Sequence, residues 1–148
     1  MSKKGGDMKK LIFIFLWGVS VVNSSTNIIL KACPDTPNCI SSLAKTASVY
    51  IAPLSLKNPQ LDPKQTLKTL LAEQPRWLLL TETDDYLHYQ VTSWLFRFKD
   101  DVEFKIDLKN QQSHFRSASR LGISDFGANR KRMEHIRVLW QQLQQLQQ

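Results

Sequence analysis

The sequence predicts an α+β domain. It is a two-layer sandwich in which an antiparallel sheet of about four to five strands carries two helices on one face, in the order helix, four strands, helix. Three observations predict it. An amphipathic segment with a complete start signal opens at Asp62-Pro63. Four strand-like segments then lie between residues 77 and 120, and an apolar stripe of helical period closes the chain.

The first helix is expected from Pro63 to Gln74. Asp62 suits the N-cap, and Pro63 takes the first helical position, where its missing N–H is no loss. Gln65 stands where a capping box places Glu or Gln. Leu67, Leu70 and Leu71 form the stripe, and Pro75 stops the helix. Before it, Ser48 to Leu56 reads as extended, with Pro53 arguing for an edge position.

Four strands follow. Trp77 to Thr83 is a continuous apolar run that ends in the turn Thr83-Asp84-Asp85. Tyr86 to Ser93 alternates, with Leu87, Tyr89 and Val91 on one face and His88 and Gln90 on the other. Asp101 to Leu108 places Val102, Phe104, Ile106 and Leu108 inward and Glu103, Lys105 and Asp107 outward. Ser113 to Arg120 is the fourth. The pattern allows Trp94 to Lys99 either to continue the second strand or to bend across the sheet edge.

Asn110-Gln111 suggests a hairpin that sets Phe104 opposite Ser117, Ile106 opposite Phe115, Asp101 opposite Arg120 and His114 opposite Asp107. Parity then puts Phe115, Ser117 and Ser119 on the core face and Arg116, Ala118 and Arg120 on the other. The last helix is expected from Phe126 or Asn129 to Leu146, burying Met133, Ile136, Leu139, Trp140, Leu143 and Leu146. Gly127 disfavours a helix interior, and Asp125 and Asn129 are both plausible caps.

At 148 residues there is room for one domain, expected over residues 26–148 behind a leader at 1–25. Lys3, Lys4, Lys9 and Lys10 precede the apolar run Leu11 to Val22, and Asn23-Ser24-Ser25-Thr26 follows it. That is the layout of a secretory signal peptide cleaved near Ser24, with Met8 an alternative start. The run is shorter than the roughly 20 apolar residues a membrane span needs. The chain is therefore expected to be exported, periplasmic or extracellular. The alternatives are an uncleaved anchor, or lipidation at Cys33 within Leu30-Lys31-Ala32-Cys33, where Lys31 spoils the lipid signal. Without the leader's four lysines and Asp7, the net charge drops from +7 to +4. This is mildly basic and not a nucleic-acid-binding composition.

Cys33 and Cys39 are the only cysteines and close a short loop stiffened by Pro34 and Pro37. In an exported chain this predicts a disulfide. A metal site is not expected, because two thiolates are half a ligand set and His88, His114 and His135 have no spacing to complete it. No cofactor is expected either.

The chemistry-bearing stretch is Arg116 to Arg132, in which five cations, Asp125 and Asn129 lie between the last strand and the last helix. Arg120, Arg130, Lys131 and Arg132, with Ser119 and Asn129, are the candidates for an anion site at the helix start. The expected partner is an anionic small molecule or envelope component. The competing reading is structural: Arg120 pairs with Asp101, and Arg116 reaches Glu103 or Asp107. Asp100, Asp101, Arg116 and Asp125 are accordingly the ion-pair and capping candidates. A hydrolase using Asp101 or Asp125 is a further alternative, although no nucleophile has motif spacing to either. A structural envelope protein acting through protein contacts is the last. Trp77, Trp94 and Trp140 read as core.

Three motifs, Cys33-Pro34-Asp35-Thr36-Pro37-Asn38-Cys39-Ile40-Ser41-Ser42, Phe98-Lys99-Asp100-Asp101-Val102-Glu103-Phe104 and the Arg116 to Arg132 segment, occur here in order. Together they resemble the bacterial and plastid family catalogued as domain of unknown function 1499, from Cys33 to about Arg137. The resemblance implies a leader or membrane segment ahead of the cysteine motif, and no activity.

Overall fold

A computed structural model describes residues 27–146, so the expected leader, its cleavage near Ser24 and the alternative start at Met8 lie outside the described residues. The described residues form an α+β fold of one antiparallel sheet of six strands and two helices. The elements run β1 (Cys39–Ser41), β2 (Leu54–Ser55), α1 (Pro63–Ala72), β3 (Trp77–Glu82), β4 (Tyr86–Thr92), β5 (Lys99–Asp107), β6 (Gln112–Ser119) and α2 (Ala128–Leu146). The strand order is β1-β6-β5-β4-β3, and β2 shares with β1 the outer edge of β6.

Two short strands therefore precede α1, where the sequence pattern showed only one extended segment. They are two and three residues long, below the length at which alternation is readable. Ser42 holds this edge: its Oγ accepts from the Phe115 amide at 2.9 Å. Asp62 caps α1 as expected, accepting from the amides of Lys64 and Gln65.

The β5–β6 register departs from the expected one by two residues: Phe104 faces Phe115, Ile106 faces Ser113, and Asp101 faces Ala118. The cause is the turn. Asp107 accepts from both the main-chain and side-chain nitrogens of Asn110, and Gln111 adopts φ 52°. The loop thus closes at Asp107 and Gln112, one residue earlier than Asn110-Gln111 suggested. Leu108 sits in this turn, exposed instead of inward, and His114 faces Lys105 instead of Asp107. A two-residue slip leaves parity intact, so Phe115 and Ser117 remain fully buried on the core face.

The core joins Leu67, Leu70 and Leu71 of α1 and Met133, Ile136 and Trp140 of α2 to Leu87, Val102, Phe104 and Phe115 of the sheet. Trp140 also donates its indole N–H to the Ser55 carbonyl at 2.7 Å. Trp77 is only partly buried against the core, and Trp94 is 75% exposed, because it lies in the turn between β4 and β5 and not in a strand. That turn settles the path of Trp94 to Lys99. The Ser93 amide donates to the Phe98 carbonyl at 2.8 Å, and Lys99 opens β5. Among the described residues no helix is long and apolar enough to cross a membrane.

Candidate functional site

The Arg116 to Arg132 segment divides among three places. The first is a buried polar knot between β6 and α2. Gly122 and Gly127 adopt φ +85° and +79°, conformations that suit glycine, and they turn the chain from strand into helix. α2 begins directly after Gly127, at Ala128. Asp125 caps it, accepting from the amides of Gly127 and Asn129 and from the Asn129 side chain.

Asn129, fully buried, is the hub of this knot. Its Nδ2 donates to Ser119 Oγ and to the Asn38 carbonyl, and its Oδ1 accepts from Ser117 Oγ and from Arg132 Nη1. Arg132 continues to Asp100 Oδ2 at 2.6 Å. Asp100, an ion-pair or capping candidate from the sequence, is thus a buried member of β5 whose carboxylate matches the partly buried Arg132 guanidinium. Asn38 Nδ2 closes the knot on the carbonyl of Gly122. In this way the cysteine motif and the arginine motif, far apart in sequence, meet through Asn38.

The second place is the opposite face of the sheet. Arg120 grips Asp101 with two nitrogens, at 3.0 and 2.7 Å, and also donates to Gln90. His88 Nε2 lies 2.8 Å from the same carboxylate. Burial pushes the Asp101 carboxyl up, but its bonds to Arg120 and His88 outweigh this and hold it below the usual range. Alongside, Arg116 donates to Glu103, directly opposite it, and Glu103 also accepts from the Tyr86 hydroxyl at 2.7 Å. Burial, reinforced by the Glu103 carboxylate, raises the Tyr86 phenol well above its ordinary value.

The third place is the rim of a cleft of about 430 Å³ between the cysteine loop and the start of α2, lined in part by Asp35, Thr36, Thr46, Ser48, Gly127 and Arg130. Arg130 Nη2 donates to the carbonyls of Ser48 and Tyr50. Among the described residues no carboxylate lies within ion-pair distance of it. Lys131 is exposed on α2 and makes no ion pair among the described residues.

The structure therefore brings Ser117, Ser119, Asp125, Asn129, Arg132 and Asp100 together, places Arg120 and Arg116 on the other face, and leaves Arg130 at a cleft of its own. Of these groupings, the competing structural reading of the sequence contained the contacts of Arg120 with Asp101 and of Arg116 with Glu103. It did not show Asn38, Tyr86 or the buried role of Asp100. The signal for Asp100 was parity: it lies two residues before Val102, on the core face.

Cys33 and Cys39 are disulfide-bonded, with Cα atoms 5.6 Å apart. The fold and the site define a small disulfide-closed α+β domain, with motif residues that tie its last strand, its last helix and its cysteine loop together. The chain belongs to the family described as Protein of unknown function (DUF1499), which matches residues 29–139. No curated protein and no solved structure matches the chain.

Proposed function

We propose that the protein is an exported, envelope-resident binding module and that it recognises a small oxyanion at the cleft beside Arg130. The observation that carries this reading is the state of Arg130. It is held in place by two main-chain carbonyls through one nitrogen, and it keeps its charge beside a cleft that also offers the hydroxyl-bearing side chains Thr46 and Ser48. A guanidinium held in this way is fixed in place and keeps its charge and the N–H groups of Nε and Nη1, as separate single donors, for a phosphate, sulfate or carboxylate group. The disulfide supports an oxidising compartment.

The geometry favours binding over hydrolysis. Asp101 is chelated by Arg120 and His88, and Asp125 spends its oxygens on three N–H groups of its own helix start, so neither is a free base. The cations named with Arg130 at the outset divide accordingly: Arg120 and Arg132 act as scaffold, and Lys131 adds to the positive field of the helix start.

Titration with inorganic phosphate and sulfate, followed by amide chemical shifts of Gly127 and Arg130, tests the proposal. Arg130→Ala is expected to abolish saturable shifts, whereas Arg120→Ala is expected to leave them intact. Asp35 lines the same cleft and repels an anion, so Asp35→Asn is expected to tighten binding severalfold. Equal titrations for wild type and Arg130→Ala would overturn the site.

A further inference from the structure

A second surface stands apart from that cleft. The Ser93–Phe98 turn and the Arg120–Gly127 loop leave the sheet from the same end: Thr92 pairs with Lys99, and the Arg120 amide donates to the Lys99 carbonyl at 3.1 Å. Between them these two loops expose Trp94, Phe96, Phe98, Leu121, Ile123 and Phe126, the last of them 91% exposed. The Phe96 and Phe98 rings stack at 5.5 Å, so they form one apolar knob instead of two separate ones. Arg97 and Phe126 adopt φ 53° and 54°, uncommon for side chains of this size. Single exposed apolar residues are ordinary on a surface; seven at one end of a small sheet, with Leu95 counted, are a patch.

Charge identifies what the patch meets. The acids at this end are all engaged within the fold: Asp100 by Arg132, Asp101 by Arg120 and His88, and Asp125 by its own helix. Arg97 and Lys99 are exposed and make no ion pair among the described residues. The end therefore combines aromatic and aliphatic side chains with surplus positive charge. We propose that it docks onto an anionic lipid surface, with the rings entering the headgroup region and Arg97 and Lys99 meeting lipid phosphates. Tryptophan favours that interface because its ring is apolar and its N–H is wet. A second copy of the chain fits less well, since a two-fold contact through this end would set the same cations against each other.

Co-sedimentation of the full chain with vesicles of phosphatidylglycerol and phosphatidylcholine, compared with phosphatidylcholine alone, tests the proposal. Residues 1–26 are common to every variant, so differences between variants report this end alone. Trp94→Ser with Phe96→Ser and Ile123→Ser is expected to weaken partition by about tenfold or more. Arg97→Glu with Lys99→Glu is expected to weaken it by roughly tenfold or more on anionic vesicles and to leave neutral vesicles unchanged. Trp94→Phe is expected to keep the partition but to reduce the blue shift that vesicles induce in tryptophan emission, the remainder belonging to the three other tryptophans. Equal partition of wild type and the charge variant on anionic vesicles would overturn the proposal. So would a wild-type dimer that the apolar substitutions dissolve without changing partition. Should the serine variant fail to fold, the charge variant decides alone, because neither side chain is part of the core.

Discussion

Two cation-bearing stretches lie side by side at one end of the sheet and behave in opposite ways. In the segment from Arg116 to Arg132, Arg116, Arg120 and Arg132 each meet a carboxylate on β5: Glu103, Asp101 and Asp100 in turn. In the turn from Ser93 to Lys99, two cations stand among four large apolar side chains with no acid at all. The comparison teaches that the density of arginines in a sequence says little about free positive charge. What decides it is whether the neighbouring strand offers acids at matching positions. Asp100, Asp101 and Glu103 stand one or two residues apart, so their side chains reach both sheet faces and match three of the motif's five cations, leaving Arg130 and Lys131 without an ion pair among the described residues.

The comparison breaks most visibly if Asp100 is removed. Asp100→Ala leaves the partly buried Arg132 guanidinium with its charge unmatched and disturbs Asn129 and Ser117 behind it. A loss of about 3–5 kcal/mol in unfolding free energy is expected from denaturant titration. A loss below about 1 kcal/mol would mean that the knot does not depend on this pair. Removing the disulfide is expected to cost less: Cys39→Ser opens a loop of only seven residues, from Cys33 to Cys39, worth about 2 kcal/mol on the chain-entropy account. The same titration reads it.

A pH scan sharpens the contrast between the two faces of the sheet. The Asp101 carboxyl is held below its ordinary value, so its contribution is complete above the unfolded value of about 3.9 and fades as pH falls through the folded one. Thermal midpoints are expected to drop on the acid side of pH 4 and to drop less steeply, from a lower starting point, in Asp101→Asn. An identical acid limb in the two proteins would show that Arg120 and His88 do not stabilise the charged form.

Much of the fold was legible because its long elements carry complete local signals. α1 has its cap, its proline and its stripe; β4 and β5 alternate over seven and nine residues; Gly127 marks the start of α2. Elements of two or three residues, such as β1 and β2, carry no period and were read only as extended chain or as a cysteine loop. The hairpin register failed by two residues because the carboxylate of Asp107 gathers Asn110 and shifts the turn, a side-chain effect that turn composition does not encode. At the candidate site, the contact of Arg120 with Asp101 was one of two readings and came from a register two residues off: Asp101 faces Ala118, and the long Arg120 side chain reaches it diagonally. The hub role of Asn129 was not visible, since its partners Asn38, Ser117 and Asp125 come from three separate segments. The exposed turn at Trp94 was hidden for a different reason: it contains no glycine, proline or asparagine, so nothing in it announces a turn.

If the cations of the Ser93–Lys99 turn are free, replacing Arg97 and Lys99 with glutamine removes no internal partner, and the unfolding free energy should change by less than about 0.5 kcal/mol. The equivalent change at Arg120, which breaks a two-nitrogen grip on Asp101, should cost more even at a partly exposed site, by about 1 kcal/mol. Measured side by side in the same denaturant series, the two variants separate charge that the fold consumes from charge that it leaves for something else. Equal losses would mean that Arg97 and Lys99 are also tied into the fold, and the end of the sheet would then carry no surplus for an anionic surface to meet.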